Sequence, residues 1–288
     1  TLILLYLTNL IMNNTKVWLV TGASSGFGLA AVKTLLKHGY RVAATSRNGE
    51  DLAKEVNDHS GNFLPLEMQV TDQESVNKGV EKAVEHFGRI DVTINNAGYI
   101  LVGAIEELSD EEILANFNVN VFGVMKVTRA VMKVYRKQQS GYFLNMGSIS
   151  GTVTAPGQAI YSASKAAVIL MTEAIDEEGR EFGVRATAVC PGGFKTNFLA
   201  SRSARFPQHP MEEYQSVRQY EKQYKELNQN QGGDPVKAAE AFIKLAASSN
   251  PPQRIYLGRD GFGGAEYKLQ KVAKEMSEWQ KLSLSTSL

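Results

Sequence analysis

The sequence of 288 residues has only one cysteine and four histidines. The single cysteine, Cys190, cannot form a disulfide within the chain, which fits a reducing compartment and favours the cytoplasm. Cys190 ends an apolar run, so we expect a small buried residue there. The histidines are not spaced as a set of metal ligands, so we expect neither a metal site nor a metal-dependent hydrolase.

An excess of charge of one sign is also absent, because the formal net charge is +1. We therefore expect no binding to nucleic acid or to an anionic membrane. The strongly apolar residues 1–11 are too few to cross a bilayer as a helix, and they lack the basic start and the cleavage site of a signal peptide. We expect residues 1–11 to be a non-native or disordered segment, with Met12 as the natural start. The alternative is an extra apolar segment that packs on the surface or at an interface.

Short apolar segments alternate with amphipathic ones along residues 12–288, which we interpret as a single domain. The predicted strands are 16–20, 41–45, 63–70, 91–96, 141–146, 184–189 and 254–258. The predicted helices are 29–38, 73–87, 109–134, 158–182 and 235–248. Strands nearly continuous in Val, Ile and Leu are buried on both faces. The pattern therefore predicts an α/β fold, a Rossmann-type doubly wound parallel sheet of about seven strands flanked by helices.

The alternation stops at residues 197–234, which are polar with interspersed aromatic residues. A connection of this length inside a compact domain is either functional or disordered. Beyond the last predicted strand, residues 265–288 have the apolar spacing of an amphipathic helix, which we expect to cap the fold or to form an interface.

A glycine-rich stretch, Thr21–Gly28 (TGASSGFG), directly follows the first predicted strand and opens the first helix. It is either a plain surface turn or a cradle for a phosphate-bearing cofactor. Free N–H groups and the positive dipole end at a helix N-terminus favour an anion. Glycines there permit a tight turn and a close approach of the backbone to a pyrophosphate. The spacing is G-x-x-x-G-x-G, which differs from the G-x-G-x-x-G dinucleotide fingerprint.

Five further motifs follow in order: NNAG at 95–98, NVNVFG at 118–123, GSISG at 147–151, YSASK at 161–165 and PGGFKT at 191–196. The ordered set resembles the single-domain branch of the short-chain dehydrogenase/reductases, near its hydroxysteroid dehydrogenase-like group. The resemblance implies an oxidoreductase that uses NAD or NADP to oxidise alcohols or reduce carbonyls. It also places a substrate lid at about 197–231.

The expected catalytic residues are Tyr161, Lys165, Ser148 and Asn120. Tyr161 and Lys165 are four apart on a predicted helix and share one face. A nearby ammonium lowers the pKa of a phenol, so Tyr161 is expected to act as acid or base. Ser148 would bind the substrate oxygen, with Ser150 as the less favoured serine. The resemblance implies that Lys165 also holds the nicotinamide ribose and that Asn120 orders a relay water.

The cofactor is expected to be NADP(H), with NAD(H) possible. Ser46 replaces the acid that selects NAD, and Arg47 suits a 2′-phosphate. Gln69 stands where the family usually has an aspartate, which leaves adenine placement less certain. The residues expected at the cofactor are Gly22, Ser24, Ser25, Gly26, Phe27, Gly28, Ser46, Arg47, Gln69, Val70, Asn96, Ala97, Gly98, Pro191, Gly192, Phe194 and Thr196, with Tyr161 and Lys165.

The substrate is expected to be an apolar ketone, aldehyde or alcohol. Lid aromatics such as Phe198 and Phe206, with the segments 99–105 and 152–157, would form its walls. The alternative function is a catalytically weak NADP-binding redox sensor. A nucleotide-sugar epimerase or dehydratase fits less well, because the loop spacing differs and the tail is short. The resemblance also implies a homodimer or homotetramer built through the helices predicted at 109–134 and 158–182.

Overall fold

The centre of the fold is a parallel sheet of seven strands, seen in a computed structural model that describes residues 16–196, 198, 203–227 and 230–288. Its strands are β1 Val17–Val20, β2 Arg41–Ser46, β3 Phe63–Glu67, β4 Val92–Asn95, β6 Gly141–Met146, β7 Val184–Pro191 and β9 Arg254–Leu257. The order across the sheet is β3-β2-β1-β4-β6-β7-β9. The predicted doubly wound fold is therefore confirmed. A separate pair of short parallel strands, β5 Ile100–Leu101 and β8 Ala204–Arg205, lies beside it.

Helices connect the strands and cover both faces of the sheet. They are α1 Gly26–Lys37, α2 Gly49–Val56, α3 Gln73–Phe87, α4 Asp110–Phe117, α5 Gly123–Gln138, α6 Ala159–Gly179, α7 Gln215–Leu227, α8 Pro235–Ala247, α9 Arg259–Glu278 and α10 Gln280–Leu284. A single π-helical turn, Asn118–Phe122, joins α4 to α5.

The core divides into two apolar layers because successive side chains of a strand point to opposite faces. On one face, Trp18 and Val20 of β1 pack with residues of α1, α2 and α8. On the other face, Val17 and Leu19 pack with residues of α3, α5 and α6. Strand β1 is thus apolar on both sides, as its sequence predicted.

Several helix ends follow the local sequence closely. Asp72 caps α3 by accepting from the N–H groups of Glu74 and Ser75, and Gly88 ends the helix with a positive φ of 81°. The predicted cap at Ser109 is confirmed, since its side chain accepts from the N–H of Glu112 in a capping box.

The predicted helix 109–134 is helical along its length from Asp110, but it is not α-helical throughout. The structure divides it into α4, the π-helical turn and α5, which ends later, at Gln138. A π-turn adds one residue to the helical repeat and changes which side chains face inward. The apolar pattern alone did not reveal this change of phase.

Two helices were missed. The short α2 lies between β2 and β3, and α7 lies within the segment expected to form a lid. Among its described residues, α7 buries only Val217 and Glu221, so its sequence carries little apolar signal. Residues 1–11, with the expectation for them, lie outside the described residues, as do residues 197, 199–202 and 228–229 of the lid segment.

A buried carboxylate, Asp176, ties the C-terminal half of α6 to the sheet. Its oxygens accept from Arg185 Nε at 2.7 Å, the Ala186 N–H at 2.8 Å and Gln253 Nε2 at 3.2 Å. Arg180 adds an ion pair at 3.1 Å. Burial alone would raise the pKa of Asp176, but the hydrogen bonds from Arg185 and the Ala186 N–H outweigh it and hold the pKa low. The carboxylate therefore stays charged.

We predict that Asp176→Asn lowers the free energy of unfolding by about 3 kcal/mol or more. The substitution removes the negative charge that Arg185 and the Ala186 N–H pair with in the interior. Denaturant unfolding measures the change. Glu173→Gln is the matched control on the same helix, since its partner Arg254 forms a partly exposed pair worth under about 1 kcal/mol. Equal losses for the two variants would contradict the assignment of Asp176 as the anchor of α6.

Candidate active site

A cleft of about 1020 Å³ opens at the carboxyl ends of the strands. Strand β1 lies between β2 and β4, so the chain changes direction across the sheet at this point. In open α/β sheets, ligands bind in the crevice outside the strand ends at such a switch point. Most of the residues expected at the site line this cleft. They are Gly22, Ser24, Ser25, Gly26, Phe27, Ser46, Arg47, Gln69, Val70, Asn96, Ala97, Gly98, Ser148, Ser150, Tyr161, Lys165, Pro191, Gly192, Phe194 and Thr196.

The glycine-rich loop lies against the chain that follows β4. Gly22 has a φ of +63°, and a Cβ there would lie 2.7 Å from Ala97 Cα. A Cβ at Gly28, which is buried behind the cleft, would lie 2.5 Å from Gly22 O. The Asn96 side chain donates to Gly22 O at 2.8 Å and fixes the two segments together. Side chains at these glycines would therefore force the loop and the β4 segment apart.

The N-terminus of α1 faces the cleft with its donors free of side-chain caps. Ser25 is the N-cap residue, yet its side chain makes no capping hydrogen bond, and the first turn of α1 has no acidic residue. The first N–H groups of a helix have no partner within the helix. Free N–H groups of this kind favour an anion, and the residues around them fit the pyrophosphate of a dinucleotide.

The end of β2 gives the cleft a hydroxyl and a guanidinium. The Ser46 hydroxyl donates to Asn48 O at 2.5 Å and accepts from the Asn48 N–H at 3.2 Å. Arg47 is exposed beside it. Gln69 is also exposed at the rim, and its N–H donates to Ser75 Oγ. Two polar side chains, those of Arg47 and Gln69, are thus available to a ligand in this half of the cleft.

Tyr161 and Lys165 are buried together at the floor of the other half. The Lys165 ammonium donates to Met146 O at the end of β6, at 2.7 Å, and lies 5.9 Å from the centroid of the Tyr161 ring. Ser148 follows β6, is buried, and lies close enough to Tyr161 to lower the pKa of its phenol. The backbone N–H of the less favoured serine, Ser150, donates to Ser148 Oγ at 3.0 Å. The structure therefore brings Tyr161, Lys165 and Ser148 to one point.

Burial dominates the protonation of this group. It raises the pKa of Tyr161 to about 12, against a hydrogen bond with Ser148 that lowers it. Burial also lowers the pKa of Lys165 to about 8. The expectation that the ammonium brings the pKa of Tyr161 below its ordinary value is not met in this structure, because loss of hydration costs the phenolate more. At neutral pH the phenol is therefore protonated.

Asn120 lies behind the cleft wall, fully buried in the π-helical turn. Its amide accepts from the Tyr99 N–H at 3.0 Å and donates to Tyr99 O at 2.9 Å. It also donates to Ser164 Oγ of α6 at 3.2 Å. A Cβ at Gly98 would lie 3.0 Å from Asn120 Oδ1 and 3.5 Å from Lys165 Nζ. Gly98 thus lets the chain after β4 pass directly beside both side chains.

Apolar residues from the lid segment pack against Tyr161. Phe198, Ala204, Phe206 and Tyr224 form one cluster with it. The expected wall segments 99–105 and 152–157 also contribute residues to the cleft, among them Tyr99, Ile100, Leu101, Val153, Thr154 and Ala155. The substrate half of the cleft is consequently largely apolar.

Two polar contacts across the substrate half were missed from the sequence. Gln158 is buried one helical turn before Tyr161, and its amide donates to the Tyr224 hydroxyl of α7. The spacing of three residues from Tyr161 was the available signal, since it places Gln158 on the same helix face. Arg205 lies over the Tyr99 ring at 5.3 Å and also lines the cleft.

A buried ion pair holds the lid helix to the body. The Glu107 carboxylate accepts from Arg218 at 2.6 and 2.8 Å and from the Met211 N–H at 2.7 Å. It also accepts from the Ala104 N–H at 2.7 Å. Because the carboxylate is buried, its loss would leave these donors unpaired.

Asp260, at the start of α9, was also missed. Its carboxylate accepts from the Gly193 N–H at 2.6 Å, and a Cβ at Gly192 would lie 2.4 Å from it. The contact positions the chain after β7, where Phe194 meets Phe27 with ring centroids 5.0 Å apart. Thr196 is buried in the same segment. No local motif marks Asp260, because its partner lies 67 residues away.

Within the described part of the chain, no helix has the length and apolarity needed to cross a membrane. Across the same described residues, no group of three His, Cys, Asp or Glu side chains could hold a metal ion. Cys190 is buried, as its sequence context predicted.

Comparison with known proteins gives the family. The family model for short chain dehydrogenases matches residues 16–206. The chain is 33% identical over 275 residues to Oxidoreductase BOA17 of Botryotinia fuckeliana, which covers 95% of this chain and all of that protein. It is 35% identical over 243 residues to a 3-ketodihydrosphingosine reductase of Bacteroides thetaiotaomicron, covering 84% of this chain and 88% of the relative.

Solved structures give the same family as the sequence comparison. A short-chain dehydrogenase from Streptomyces avermitilis superposes with a TM-score of 0.87 at 34% identity, covering 94% of this chain and all of the other. ElxO with NADP bound superposes with a TM-score of 0.71 at 27% identity, covering 86% of this chain and 99% of ElxO. The chain therefore belongs to the short-chain dehydrogenase family and is an NAD(P)-dependent oxidoreductase.

We predict that Gly22→Ala lowers the free energy of unfolding by about 3 kcal/mol, because it combines a strained φ with overpacking against Ala97. Gly61→Ala is the control. Gly61 also has a positive φ, but nothing lies within 4 Å of a Cβ there, so its loss is about 1 kcal/mol. Thermal or urea unfolding measures both. If the two variants lose the same free energy of unfolding, the close contact between the loop and the β4 segment is not the reason for glycine at position 22.

Proposed function

We propose that the protein is an NADP-dependent reductase that converts apolar ketones or aldehydes into alcohols, with the reverse oxidation also open to it. The observation that carries the proposal is the burial of Tyr161, Lys165 and Ser148 together at the floor of a mostly apolar cleft. A protonated phenol in that position is suited to give a proton to a carbonyl oxygen.

The contacts of each side chain support the catalytic role that we propose for it. Tyr161 donates its proton to the carbonyl oxygen, and Ser148 binds the same oxygen through its hydroxyl. Lys165 stabilises the phenolate that remains, because its charge lies beside the ring. Asn120, held by Tyr99 and Ser164, orders the water through which Tyr161 is reprotonated.

The cofactor residues divide between the two halves of the cleft. The N–H groups at the start of α1, with Ser24 and Ser25, would hold the pyrophosphate. Asn96, Ala97 and Gly98 would lie along the adenosine ribose, while Gln69 and Val70 would meet the adenine. The remaining cofactor contacts come from Pro191, Gly192, Phe194, Thr196 and Lys165. When bound, the reduced nicotinamide supplies the hydride that the carbonyl carbon receives.

The preference for NADP over NAD rests on Arg47. Its guanidinium is exposed at the cleft beside Ser46, which stands where an acidic residue would bind the ribose hydroxyl of NAD. A guanidinium binds a phosphate through charge-assisted hydrogen bonds. Solved neighbours are bound to NADP or to NAD, so the proposed preference depends on Arg47 alone.

An apolar substrate suits the walls of the cleft and the cluster of Phe198, Phe206 and Tyr224 around Tyr161. The Bacteroides relative is named as a reductase of a 3-keto lipid base, which agrees in chemical class. The polar pair of Gln158 and Tyr224 would then bind a hydroxyl or amine close to the reacting carbonyl.

The family assembly, a homodimer or homotetramer, is part of the same proposal. Apolar side chains are exposed on the helices expected to form it, namely Leu114 on α4, Phe122 and Met125 around the start of α5, and Leu170 on α6. Burial of such residues drives association. A cytoplasmic location fits the lone buried thiol.

We predict that the protein consumes NADPH with members of a panel of apolar ketones and aldehydes, and that Tyr161→Phe lowers kcat at least ~100-fold through loss of the proton donor. Absorbance at the reduced nicotinamide band measures turnover. Tyr142→Phe is the matched control, because Tyr142 is also buried and hydroxyl-bonded but lies outside the cleft.

Tight NADPH binding without turnover on the panel would favour the redox sensor instead. Turnover that Tyr161→Phe retains in full would contradict the assigned proton donor. The two outcomes are separable, because binding is followed by quenching of protein fluorescence and turnover by absorbance.

We predict that Arg47→Ala raises KM for NADPH about tenfold or more and leaves KM for NADH nearly unchanged, because it removes a charged hydrogen bond to the 2′-phosphate. Steady-state kinetics with both cofactors measures the change. Lys37→Ala removes the same charge from an exposed position outside the cleft and should alter neither constant. An equal rise in KM for NADPH and for NADH would mean instead that Arg47 contacts a part of the dinucleotide that both cofactors share.

A further inference from the structure

One polar side chain of the cleft has a buried acceptor without a partner. Gln231 lies between α7 and α8 and lines the cleft. Its Oε1 atom is buried, and no described residue donates a hydrogen bond to it. Among the buried side-chain atoms that lack a partner in the described part of the chain, it is the only one whose residue lines the cleft. Buried polar atoms are nearly always hydrogen-bonded, so this acceptor indicates a donor that a bound ligand supplies.

Backbone hydrogen bonds hold Gln231 beside the chain that follows β7. The Gly233 N–H donates to Gly193 O at 3.0 Å, and the Lys195 N–H donates to Gly233 O at 2.8 Å. Gly233 also forms a parallel bridge with Phe194. A Cβ at Gly193 would lie 3.6 Å from both Cβ and Cγ of Gln231. The glutamine side chain therefore lies directly against the backbone of the segment 191–196.

This segment extends from α1 to the proton donor. Phe194 meets Phe27 of α1 with ring centroids 5.0 Å apart, and Phe198, just beyond the segment, meets Tyr161 at 6.4 Å. The pyrophosphate is expected at the start of α1, and the hydride must reach a carbonyl beside Tyr161. A nicotinamide ring between these two points lies along the segment 191–196, where Gln231 is also held.

The donor that the Gln231 side chain lacks is one that the nicotinamide ring carries. A primary amide such as the ring's carboxamide has two N–H donors beside a carbonyl acceptor. Thr196, also expected at the cofactor, already uses its hydroxyl within its own segment. That hydroxyl donates to Phe194 O at 3.4 Å and accepts from the Phe198 N–H at 3.3 Å. Gln231 Oε1 is consequently the unpaired acceptor at this end of the cleft.

We propose that Gln231 binds the carboxamide of the nicotinamide, with its Oε1 atom accepting from the carboxamide nitrogen. The contact fixes the rotation of the ring about its bond to the ribose, and with it the face of the ring that the substrate meets. Gln231 stands at the far end of the lid segment from the motif at 191–196, so no local pattern marks it. The inference rests on the cofactor placement proposed above, but on neither the preference for NADP nor the substrate.

A cofactor that lacks the donor tests the contact. In the 3-acetylpyridine analogue of NADPH, a methyl group replaces the carboxamide nitrogen. We predict that the wild-type protein binds the analogue roughly tenfold more weakly than NADPH, because Oε1 then stays buried without a partner. In Gln231→Leu, this preference for NADPH should fall below about twofold, through weaker binding of NADPH. Quenching of protein fluorescence measures each dissociation constant without turnover.

Two further variants separate the contact from a general effect of substitution. Gln231→Glu keeps an oxygen acceptor at the same place, so the ratio of the two dissociation constants should stay near that of the wild type. Gln219→Leu makes the same change of side chain at an exposed position of α7 outside the cleft, and should leave both constants unchanged. Circular dichroism checks that each variant is folded.

Equal binding of NADPH and the analogue by the wild-type protein would overturn the contact, as would a rise of both constants by the same factor in Gln231→Leu. An unchanged dissociation constant for NADPH with a raised KM for a ketone would assign Gln231 to the substrate instead. A failed ketone panel would contradict the proposed reductase, yet the binding ratios remain measurable because they need no turnover. The same measurements with NADH and its analogue separate the contact from the preference for NADP.

Discussion

A charged amine buried at the end of β6 is the constraint on which the site depends. An ammonium inside a protein is costly unless its donors are paired. Lys165 is 5% exposed and has a fixed carbonyl partner in Met146 O at 2.7 Å. The strand end must therefore stay in register with the helix that carries the lysine. Tyr161, one turn earlier on that helix, is positioned by the same requirement.

Helix α6 serves both the interior and the cleft. Its C-terminal half is fixed by Asp176, whose carboxylate reaches Arg185 and the backbone of β7. Its N-terminal half presents Tyr161 and Lys165 to the cleft, with Gln158 at its N-cap. A helix of 21 residues is rigid over this distance, so the ion pairs at one end determine where the phenol lies at the other.

Much of the framework could be read from the sequence because it depends on local and periodic signals. The seven strands, the cap at Ser109 and the glycine loop are each encoded within a few neighbouring residues. Contacts between distant segments could not be read in this way. Asp260 with Gly193 and Glu107 with Arg218 carry no motif, and α7 has too few apolar residues to be recognised as a helix.

The direction of the pKa shift of Tyr161 could not be predicted from the sequence, for a different reason. The sequence pairs the phenol with Lys165, and that pairing alone favours the phenolate. How far the phenol is removed from water depends on Phe198, Phe206 and Tyr224, which approach from another part of the chain.

The π-helical turn at Asn118–Phe122 has a consequence of its own. It offsets α4 from α5 by one residue, about 100° of rotation. Deletion of a single residue from this turn would convert it into regular α-helix and rotate Asn120 away from its hydrogen bonds with Tyr99. We therefore expect this region to tolerate substitutions far better than a change of length.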